Sequence, residues 1–407
     1  MYDFKQACEK SAFESLYAKT QKFLEFKATS YRLSFSQVQQ LIIIAVDLQM
    51  WGEDIEAFWE DTQSKKQTLH ALQSRYEALK TTLKRYPQTP MDFEKEMFKI
   101  EEIERESLGL GSCPVASPKT RCCNLLTLDA VESCGFDCSY CSIQSFYKNN
   151  TITFDKHFAK KLERLELDTT KTYHIGTGQS SDSLMWGNRA GVLEALLNFA
   201  RQHPNVILEF KSKSDNIAYL LEHDVPKNVI CTWSLNPQVI IDNEEKRTAS
   251  LEQRIQSARA LADKGVLVGF HFHPIVLFEG WKEAYSAIAD ELTQRFTCKE
   301  VALISMGTLT FIKPVLKKIR LRAQKSKILQ MPLIDANGKY SYPLELKEEM
   351  FSTLYKAFKP WHEDVFFYLC MEDESLWKNI FGYEYVNNDA FEEAMLKAYT
   401  QKIKGRQ

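Results

Sequence analysis

The sequence of 407 residues has no excess charge of either sign, no long apolar segment, and no repeat or low-complexity tract. Its 52 Lys and Arg residues nearly balance its 54 Asp and Glu residues, so no overall field attracts nucleic acid or membrane, and any site for a polyanion must be local. The longest aliphatic run, Leu41 to Val46, is far shorter than the roughly 20 residues that cross a bilayer, which predicts no membrane span. The opening residues, Met1 to Phe4, form no apolar signal segment, so we expect a reducing cytoplasm.

What the sequence does contain is a clear change of pattern after its first quarter. Residues 1–109 are rich in polar residues and predict a helical N-terminal region, in which Phe35 to Trp51 carries a wide apolar face and Glu53 to Tyr86 predicts one long charged helix. We expect this region to be a helical cap or a module that binds a protein partner. Residues 110–122 contain Gly and Pro and predict a linker.

Residues 123–310 consist of short β-like runs that alternate with helical segments. This alternation predicts an α/β fold with a parallel sheet, arranged as a partial (β/α)6 barrel whose chemistry lies at the carboxyl ends of the strands. Residues 311–407 predict a C-terminal α+β extension with a β-hairpin. The predicted strands are Asn124 to Val131, Thr172 to Ile175, Val206 to Phe210, Val229 to Ser234, Leu267 to Phe272 and Val301 to Ile304. The predicted helices span about 155–166, 190–203, 215–222, 250–264 and 280–294.

Three closely spaced cysteines carry the strongest chemical signal. Cys134, Cys138 and Cys141 follow the first predicted strand with the spacing C-x3-C-x2-C. Their thiolates can hold three corners of a [4Fe-4S] cubane, whereas a ferredoxin-type cluster takes four Cys ligands, so the fourth iron stays open to a small molecule. Two alternatives fit the same residues: a zinc site completed by a distant fourth ligand, and small buried side chains that bind nothing.

The cysteine spacing is similar to that of the radical S-adenosylmethionine enzymes. The resemblance implies that the open iron binds the methionine amine and carboxylate of S-adenosylmethionine. It also implies that an electron from the cluster splits the sulfonium to give a 5′-deoxyadenosyl radical. Tyr140, directly before the third cysteine, matches the aromatic residue that shields the cofactor at this catalytic centre.

Polar residues follow the later predicted strands, where they should meet at the same mouth of the barrel. The Gly-rich turn from Gly176 to Ser183, which includes Gly178, lets the backbone approach a small polar ligand. Lys213 is placed to pair with a carboxylate such as that of the cofactor. Ser234 and Asn236 share one face of a strand, from which both can bond a ribose or carboxylate. An ordinary turn and a surface Lys are the alternatives.

Two histidines, His271 and His273, share one face of the fifth predicted strand. They fit either a metal pair, although the sequence offers no third ligand nearby, or the lining of the pocket. A contact from the His273 backbone to the adenine of the cofactor would need no special side chain.

Several motifs together resemble the spore photoproduct lyase family over about residues 123–345. The resemblance implies a [4Fe-4S] cluster on the three cysteines, with Tyr140, Ser181, Lys213 and Ser234 lining S-adenosylmethionine and the backbone near His273 touching it. In that family the radical takes hydrogen from a thymine dimer in spore DNA, the dimer splits, and a Cys thiol returns a hydrogen. The matching motifs are Cys134 to Gln144, Thr177 to Ser183, Lys213, Trp233 to Asn236, Val268 to Ile275, Glu279 to Trp281 and Gly338 to Tyr342.

Two positions depart from that family where the reaction ends. Gln179 stands at the position of the Cys that donates hydrogen, and Ser142 stands at the position of the Tyr that assists the return transfer. An amide is not a hydrogen-atom donor, so the sequence predicts a lyase-like relative with a different substrate or a different last step. Cys231 and Cys370 are the candidate substitutes, unless they are ordinary buried thiols.

A local basic segment, Lys313 to Lys327, follows the barrel and contains no acidic residue. It fits either a phosphate backbone or a solvated helix face. Asn337 and Gly338 predict a hairpin turn after it, and aromatic residues on its second strand can stack on bases. The predicted nucleic-acid residues are Lys317, Lys318, Arg320, Lys339, Tyr340 and Tyr342.

These patterns predict a radical enzyme that acts on DNA and takes its electron from a donor such as flavodoxin or ferredoxin. One alternative is a radical enzyme with a peptide or small metabolite as substrate. The other is a protein that carries the cluster and binds or senses DNA without turnover.

Overall fold

The computed structural model describes residues 4–9, 11–88, 98–113, 119–143, 151–336 and 338–405. Gln144 and Asn337, which belong to two of the predicted motifs, lie outside these ranges, as do residues 114–118 of the predicted linker. Among the described residues, none of the helices has the length and apolar character needed to cross a membrane.

An eight-stranded sheet forms the centre of the fold, in the order β16-β12-β11-β9-β8-β7-β3-β2. Every neighbouring pair is parallel except β2 and β3. The strands are β1 (Lys99–Ile103), β2 (Leu110–Ser112), β3 (Leu126–Leu128), β4 (Val131–Glu132), β5 (Asp137–Cys138), β6 (Thr151–Asp155), β7 (Tyr173–Thr177), β8 (Val206–Ser212), β9 (Val229–Ser234), β10 (Glu245–Lys246), β11 (Leu267–Ile275), β12 (Val301–Thr308), β13 (Thr310–Ile312), β14 (Ile334–Ala336), β15 (Lys339–Ser341) and β16 (Phe366–Leu369).

The helices connect these strands or form the N-terminal region. They are α1 (Phe4–Cys8), α2 (Ala18–Ser30), α3 (Phe35–Trp51), α4 (Ile55–Phe58), α5 (Lys65–Thr81), α6 (Phe158–Glu163), α7 (Val192–Gln202), α8 (Ala218–Glu222), α9 (Gln238–Glu244), α10 (Leu251–Asp263), α11 (Trp281–Arg295), α12 (Lys313–Arg322), α13 (Leu344–Ala357), α14 (Leu376–Phe381) and α15 (Asn388–Lys404).

The predicted α/β half-barrel is confirmed. All six predicted strands are present as β3, β7, β8, β9, β11 and β12, and the predicted helices correspond to α6, α7, α8, α10 and α11. Strands β9 and β12 are buried along their whole length, because helices cover the outer face of the curled sheet and its inner face packs inside the half-barrel, so their residues do not alternate between polar and apolar. Strand β16 extends the parallel part of the sheet beyond the six strands that the sequence predicts.

The N-terminal region is helical as predicted, but the single long helix from Glu53 to Tyr86 is wrong. Two helices, α4 and α5, occupy that stretch, because Asp54 and Ser64 each cap a new helix by accepting a backbone N–H bond. The region also contributes β1, which pairs in parallel with β6. The first residues of the predicted linker form β2, an antiparallel edge strand of the main sheet.

The C-terminal extension contains the predicted hairpin. Strands β14 and β15 pair antiparallel on either side of Gly338, whose φ of +83° is in the left-handed region that glycine adopts without strain. Strand β13 joins them on the other side of β15. The basic segment forms α12, which packs against α3 of the N-terminal region through the ion pair of Arg320 with Asp47.

Candidate active site

A cavity of about 990 Å³ opens at the carboxyl ends of the parallel strands. Its size is at the upper end of the range for small-molecule pockets, so it has room for a cofactor and part of a substrate. The structure brings most of the predicted site residues together here, although their roles as ligands stay predictions. The predicted residues that line the cavity are Cys134, Cys138, Cys141, Tyr140, Gly178, Ser181, Lys213, Ser234 and His273.

The three cysteines lie on the loop that follows β4. Cys138 belongs to β5, which pairs with β10, and the Cys141 amide donates to the Cys138 carbonyl at 3.2 Å. The Cys134 sulfur lies 3.9 Å from the Met185 sulfur. Burial raises the pKa of Cys134 and of Cys138, which keeps both as neutral thiols unless a metal binds and displaces the protons.

The geometry of the thiols bears on the choice between zinc and a cluster. Within the ranges that the structure describes, no three His, Cys, Asp or Glu side chains are gathered as the ligands of a single metal ion. A zinc ion draws all its ligands onto one centre, whereas a cubane spreads its thiolates over separate irons. The Cys138 and Cys141 thiols raise the pKa of Cys134, and Cys141 raises that of Cys138, so the three face the same space. Three thiols at one cavity match the three ligands of an open [4Fe-4S] cluster, so the residues present fit that group.

The Gly-rich turn after β7 is held by a buried carboxylate. Asp182 accepts hydrogen bonds from the Ser212 hydroxyl and the Lys213 amide, both at 2.8 Å, and from the amides of Leu184 and Met185 at 3.0 Å. Burial raises the pKa of Asp182. No local pattern marks Asp182 for this role, because it joins two strand ends that are distant along the chain.

Gly178 is required by the same turn. Its φ is +78°, and a Cβ at this position would lie 2.6 Å from the Ser183 hydroxyl and 2.7 Å from the Ser183 amide. The neighbouring Ser181 hydroxyl accepts from the Trp186 indole at 3.1 Å, which leaves the hydrogen of the hydroxyl for a ligand.

Glu245 organises the predicted cofactor residues. This fully buried carboxylate accepts from Lys213 at 3.3 Å, Asn236 at 2.7 Å and Arg254 at 2.6 Å, and it also bonds the Tyr140 hydroxyl. Burial raises the pKa of Glu245, but Arg254 and then Lys213 outweigh that effect and bring it to about 2. Glu245 is therefore ionised, and it fixes the side chains of Tyr140 and Lys213 at the wall of the cavity.

Lys213 keeps capacity for a ligand. Its ammonium donates to the Tyr140 hydroxyl at 3.1 Å and to Glu245 at 3.3 Å, which uses two of its three donors. Asn236, in contrast, is fully buried and is not part of the cavity wall. Its amide bonds Glu245, and its oxygen accepts from Tyr285 at 2.6 Å. The predicted contact of Asn236 with the cofactor is therefore wrong, because its polar atoms hold the layer behind Tyr140.

The adjacent Glu244 links the cysteine loop to the N-terminal region and to the C-terminal extension. Its carboxylate accepts from Tyr86 at 2.8 Å, from the Ser326 hydroxyl at 2.7 Å and from the Lys327 amide at 2.9 Å, and it also bonds the Ser139 hydroxyl. Burial raises the pKa of Glu244. Neither Glu244 nor Glu245 could be recognised from the sequence, since their partners come from six separate segments of the chain.

The two predicted histidines have different environments. His271 donates or accepts at 2.8 Å with Glu209, whose other oxygen lies 2.8 Å from His174. Burial, and then Lys211, lower the pKa of His271 to about 4. Both histidines line the cavity, as one of the two sequence-based alternatives expects; a Cβ on Gly307 would lie 3.0 Å from the His273 ring, so glycine at 307 leaves room for that ring.

The predicted nucleic-acid residues divide into exposed and buried ones. Arg320 donates two hydrogen bonds, at 2.8 and 2.9 Å, to the fully buried carboxylate of Asp47. It therefore stabilises the fold and is not available to DNA. Tyr342 is 1% exposed, and its hydroxyl accepts from the Leu277 amide, so the prediction that it stacks on bases is wrong. Strand β15 ends at Ser341, after which the chain turns into the core. Lys317 is exposed and Tyr340 half-buried.

Lys318 and Lys339 remain as predicted nucleic-acid residues, but their surroundings differ. Lys318 lines the cavity together with Arg322, and both are half-buried. Arg322 forms an ion pair with Asp137 in β5. Lys339 is half-buried in the hairpin, where burial lowers its pKa. Part of the basic segment therefore faces the cysteine loop.

The two departures from the expected family pattern lie at the cavity. Gln179 and Ser142 both line it. Cys231 is fully buried in β9 and is not part of the cavity wall, so it cannot reach a substrate there. Cys370, directly after β16, does line the cavity.

The fold and the site define an α/β half-barrel with a three-cysteine loop at the carboxyl rim of its parallel sheet. A family model for spore photoproduct lyase matches residues 127–353, more than half of the chain. The chain therefore belongs to the spore photoproduct lyase family.

Curated relatives and solved structures agree with this assignment. The chain is 25% identical to spore photoproduct lyase of Clostridium acetobutylicum over 43% of its own length and 53% of the relative's. It is 23% identical to the enzyme of a Geobacillus species over 51% of its length and 62% of the relative's. It thus spans little more than half the length of these relatives.

The solved structures share the fold. A Cys-to-Ser mutant of spore photoproduct lyase matches 66% of this chain and 82% of its own, with a TM-score of 0.56 and 18% identity. A double mutant with bound AdoMet and dinucleoside spore photoproduct gives a TM-score of 0.55 at 18% identity.

Proposed function

We propose that this protein is a radical S-adenosylmethionine enzyme that acts on a pyrimidine lesion in DNA. The observation that carries the proposal is the meeting of three thiols with Tyr140 and Lys213 in one cavity of a chain from the spore photoproduct lyase family. The relatives' cofactors and substrate support it, since one solved structure holds both AdoMet and dinucleoside spore photoproduct.

In this proposal the chain's own residues hold the cofactors. Cys134, Cys138 and Cys141 bind a [4Fe-4S] cluster, which together with S-adenosylmethionine supplies a 5′-deoxyadenosyl radical when bound. Lys213 gives its remaining N–H to the carboxylate of the methionine group, and Tyr140 covers the cofactor with its ring. The backbone at Gly178 and the Ser181 hydroxyl bind polar groups of the same ligand.

DNA is the proposed substrate, held by residues outside the barrel. The exposed Lys317 and the half-buried Tyr340 lie on α12 and the hairpin, which follow directly after the last barrel strands. Lys318 and Arg322 extend the basic surface into the cavity. Phosphate contacts from such residues position a duplex, and a lesion that enters the cavity must leave the base stack, as in base flipping.

Gln179 favours a second candidate function. An amide at this cavity position cannot complete the hydrogen transfer that the family relies on. The chain is then either a radical enzyme with a substrate other than DNA or a cluster-bearing protein that binds DNA without turnover. Salt-dependent binding to duplex DNA that is weakened by Lys317→Glu separates the DNA candidates from the others.

The decisive experiment uses anaerobically reconstituted full-length protein, reduced by dithionite in place of the flavodoxin or ferredoxin that we propose as the natural donor. It is incubated with S-adenosylmethionine and dinucleoside spore photoproduct. We expect about four irons per chain and release of 5′-deoxyadenosine, both lost in Cys138→Ala. Zinc in place of iron, or no 5′-deoxyadenosine from an iron-loaded protein, would contradict the proposal.

A further inference from the structure

Four further thiols form a second group in the cavity. Cys113, Cys122, Cys123 and Cys370 line it together. Each interacts with at least one other member. The Cys122 and Cys123 side chains are hydrogen-bonded, and the charges of Cys113 and Cys122 raise the pKa of Cys370. We call the four residues the seam thiols.

The seam thiols lie where the two edges of the curled sheet meet. Cys122 and Cys123 precede β3, next to one edge, and Cys370 follows β16, the opposite edge. The two segments are joined by an isolated bridge between Thr120 and Asp373, and the Glu374 amide donates to the Lys119 carbonyl at 3.0 Å.

Side chains fix the same seam. Arg121 forms an ion pair with Glu374, and the Cys122 amide donates to Asn388 at 3.0 Å. The Cys370 amide donates to the Met306 carbonyl at 2.7 Å, and the next residue, Met371, has a φ of +62°. Non-glycine residues adopt this conformation only where the surrounding structure imposes it, and such residues cluster at functional sites. The backbone that carries Cys370 is therefore held in place at the cavity.

The thiols of the seam differ in protonation. The hydrogen bond from Cys123 lowers the pKa of Cys122 to about 6, which favours a thiolate. Burial raises the pKa of Cys370 to about 12, although Lys211 opposes this, so Cys370 keeps its hydrogen at neutral pH. A site that pairs a protonated thiol with a neighbouring thiolate can give up a hydrogen atom and then stabilise the sulfur radical that remains.

We propose that Cys370 is the hydrogen-atom donor for a carbon radical formed in this cavity, with Cys122, across the same seam, as the group that stabilises its sulfur radical. This inference rests on the proposed function. In the step, the S–H bond of Cys370 breaks, a C–H bond forms on the substrate, and the unpaired electron passes to sulfur. The sulfur radical shares this electron with the Cys122 thiolate. One electron from the external one-electron reductant and one proton from water then restore the thiol and the thiolate.

The step explains how a chain with Gln179 can finish the reaction. A thiol S–H bond is weaker than an amide N–H bond, so a carbon radical in the cavity takes hydrogen from sulfur rather than from Gln179. Both groups line the same cavity, and Cys370 reaches it from the end of β16 rather than from the Gly-rich turn. The donor has therefore changed its position in the fold.

The activity test compares Cys370→Ala with Cys298→Ala, which removes a thiol that is not part of the cavity wall. With dinucleoside spore photoproduct as the probe, we expect Cys370→Ala to release 5′-deoxyadenosine within about twofold of wild type while its yield of repaired thymidine falls about tenfold or more. Cys298→Ala should keep both. Full repair by Cys370→Ala would overturn the proposal. Absence of 5′-deoxyadenosine from wild type would instead count against the proposed function.

A second test needs no turnover. Mild oxidation of the apo protein by diamide should link Cys370 to Cys122 or Cys123. Cleavage before aspartates and after lysine and arginine then places the two sides of the bond in separate fragments, 122–128 and 364–372. Recovery of this linked pair by mass spectrometry supports the proposal. Absence of the pair, or a metal ion that is lost on Cys370→Ala, overturns it whether or not the protein makes 5′-deoxyadenosine.

Discussion

Replacement of Glu245 by Gln would remove a buried negative charge while it keeps the shape of the side chain. Glu245 is fully buried between Arg254, which is also fully buried, and Lys213. Three of its partners, Arg254, Lys213 and the Asn236 amide, can only donate hydrogen bonds. A Gln side chain has one acceptor oxygen where Glu has two. Its NH2 group, which can only donate, would face partners that also can only donate. The variant therefore leaves buried cations without their counter-charge.

The magnitude follows from the structure in two ways. Breaking a buried ion pair by removal of one partner costs about 3–5 kcal/mol. Separately, the fall of the Glu245 pKa from 4.5 to about 2 corresponds to about 3 kcal/mol of stabilisation of the charged form. Because the folded pKa is the lower one, this stabilisation is complete above pH 4.5 and is lost as the pH falls toward 2. We expect Glu245→Gln to lower the free energy of unfolding by about 3 kcal/mol at pH 7.

The adjacent Glu244 provides a matched control. Its partners Tyr86, Ser139 and Ser326 are hydroxyls, which can accept as well as donate, so a Gln at 244 can satisfy them after two hydroxyls reverse. Since burial raises the pKa of Glu244, loss of its charge also removes an unfavourable desolvation. Glu244→Gln should therefore stay within about 1 kcal/mol of wild type at pH 7.

Urea denaturation between pH 7 and pH 3 measures both variants. The difference between wild type and Glu245→Gln should be largest at pH 7 and shrink below pH 4.5, whereas that of Glu244→Gln should stay small. Equal losses in the two variants, or a loss in Glu245→Gln that does not change with pH, would refute the assignment of Glu245 as the charged organiser of the site.

Three further predictions test the turn, the cysteine loop and the basic segment. Gly178→Ala should destabilise the protein by about 1–3 kcal/mol in thermal unfolding and abolish S-adenosylmethionine binding. Gly191 has a similar φ of +70° but open space around it, so Gly191→Ala should show only the smaller cost of backbone strain. Cys138→Ala should lose the absorbance of the reconstituted cluster, and retention of that absorbance would contradict its role as a ligand. Arg320→Ala should lower the free energy of unfolding by about 3–5 kcal/mol, because it leaves the buried Asp47 without its counter-charge. Lys317→Ala should leave stability unchanged and reduce the slope of log K for DNA binding against log salt concentration by about 1.

The barrel could be predicted from sequence because each element carries its own local signal. The strand Val229 to Ser234 is the same in the prediction and in the structure, since a continuous buried run between turn residues reads directly as a strand of a parallel sheet. That the cysteine loop, Gly178 and Lys213 lie at one cavity could be predicted for the same reason: they follow strands of a parallel sheet, whose carboxyl ends meet at one rim, while their roles as ligands stay predictions.

The supporting layer could not be predicted because it depends on contacts between distant segments. Nothing in the local pattern marks Glu244 and Glu245 as buried, and charged residues between a helix and a short strand are usually exposed. Asn236 was assigned to the cofactor from strand periodicity alone, which gives the face of a side chain but not the partner that occupies it. The prediction for Tyr342 was wrong for a similar reason: side chains alternate between two faces only within the strand, and β15 ends at Ser341.

The basic segment shows why charge counted along a sequence overstates a nucleic-acid site. Arg320 is bound to Asp47 of α3, and Arg322 is bound to Asp137, directly before Cys138 of the cysteine loop. These pairs connect the N-terminal region, the C-terminal extension and the cysteine loop. Ser326 adds to the same connection, because its amide donates to the Met50 carbonyl at 2.9 Å.

Glu244 makes this connection continuous with the site. It links the cysteine loop through Ser139 to Tyr86 on one side and to Ser326 on the other, while the next residue, Glu245, holds Tyr140. Tyr86 lies outside the part of the chain that matches the family model. The geometry of the cavity thus depends on segments that carry no family motif. A fragment limited to residues 127–353 would keep the three cysteines but lose Tyr86 and Asp47, leaving Glu244 and Arg320 without these partners, so the full chain is the unit in which the chemistry has to be tested.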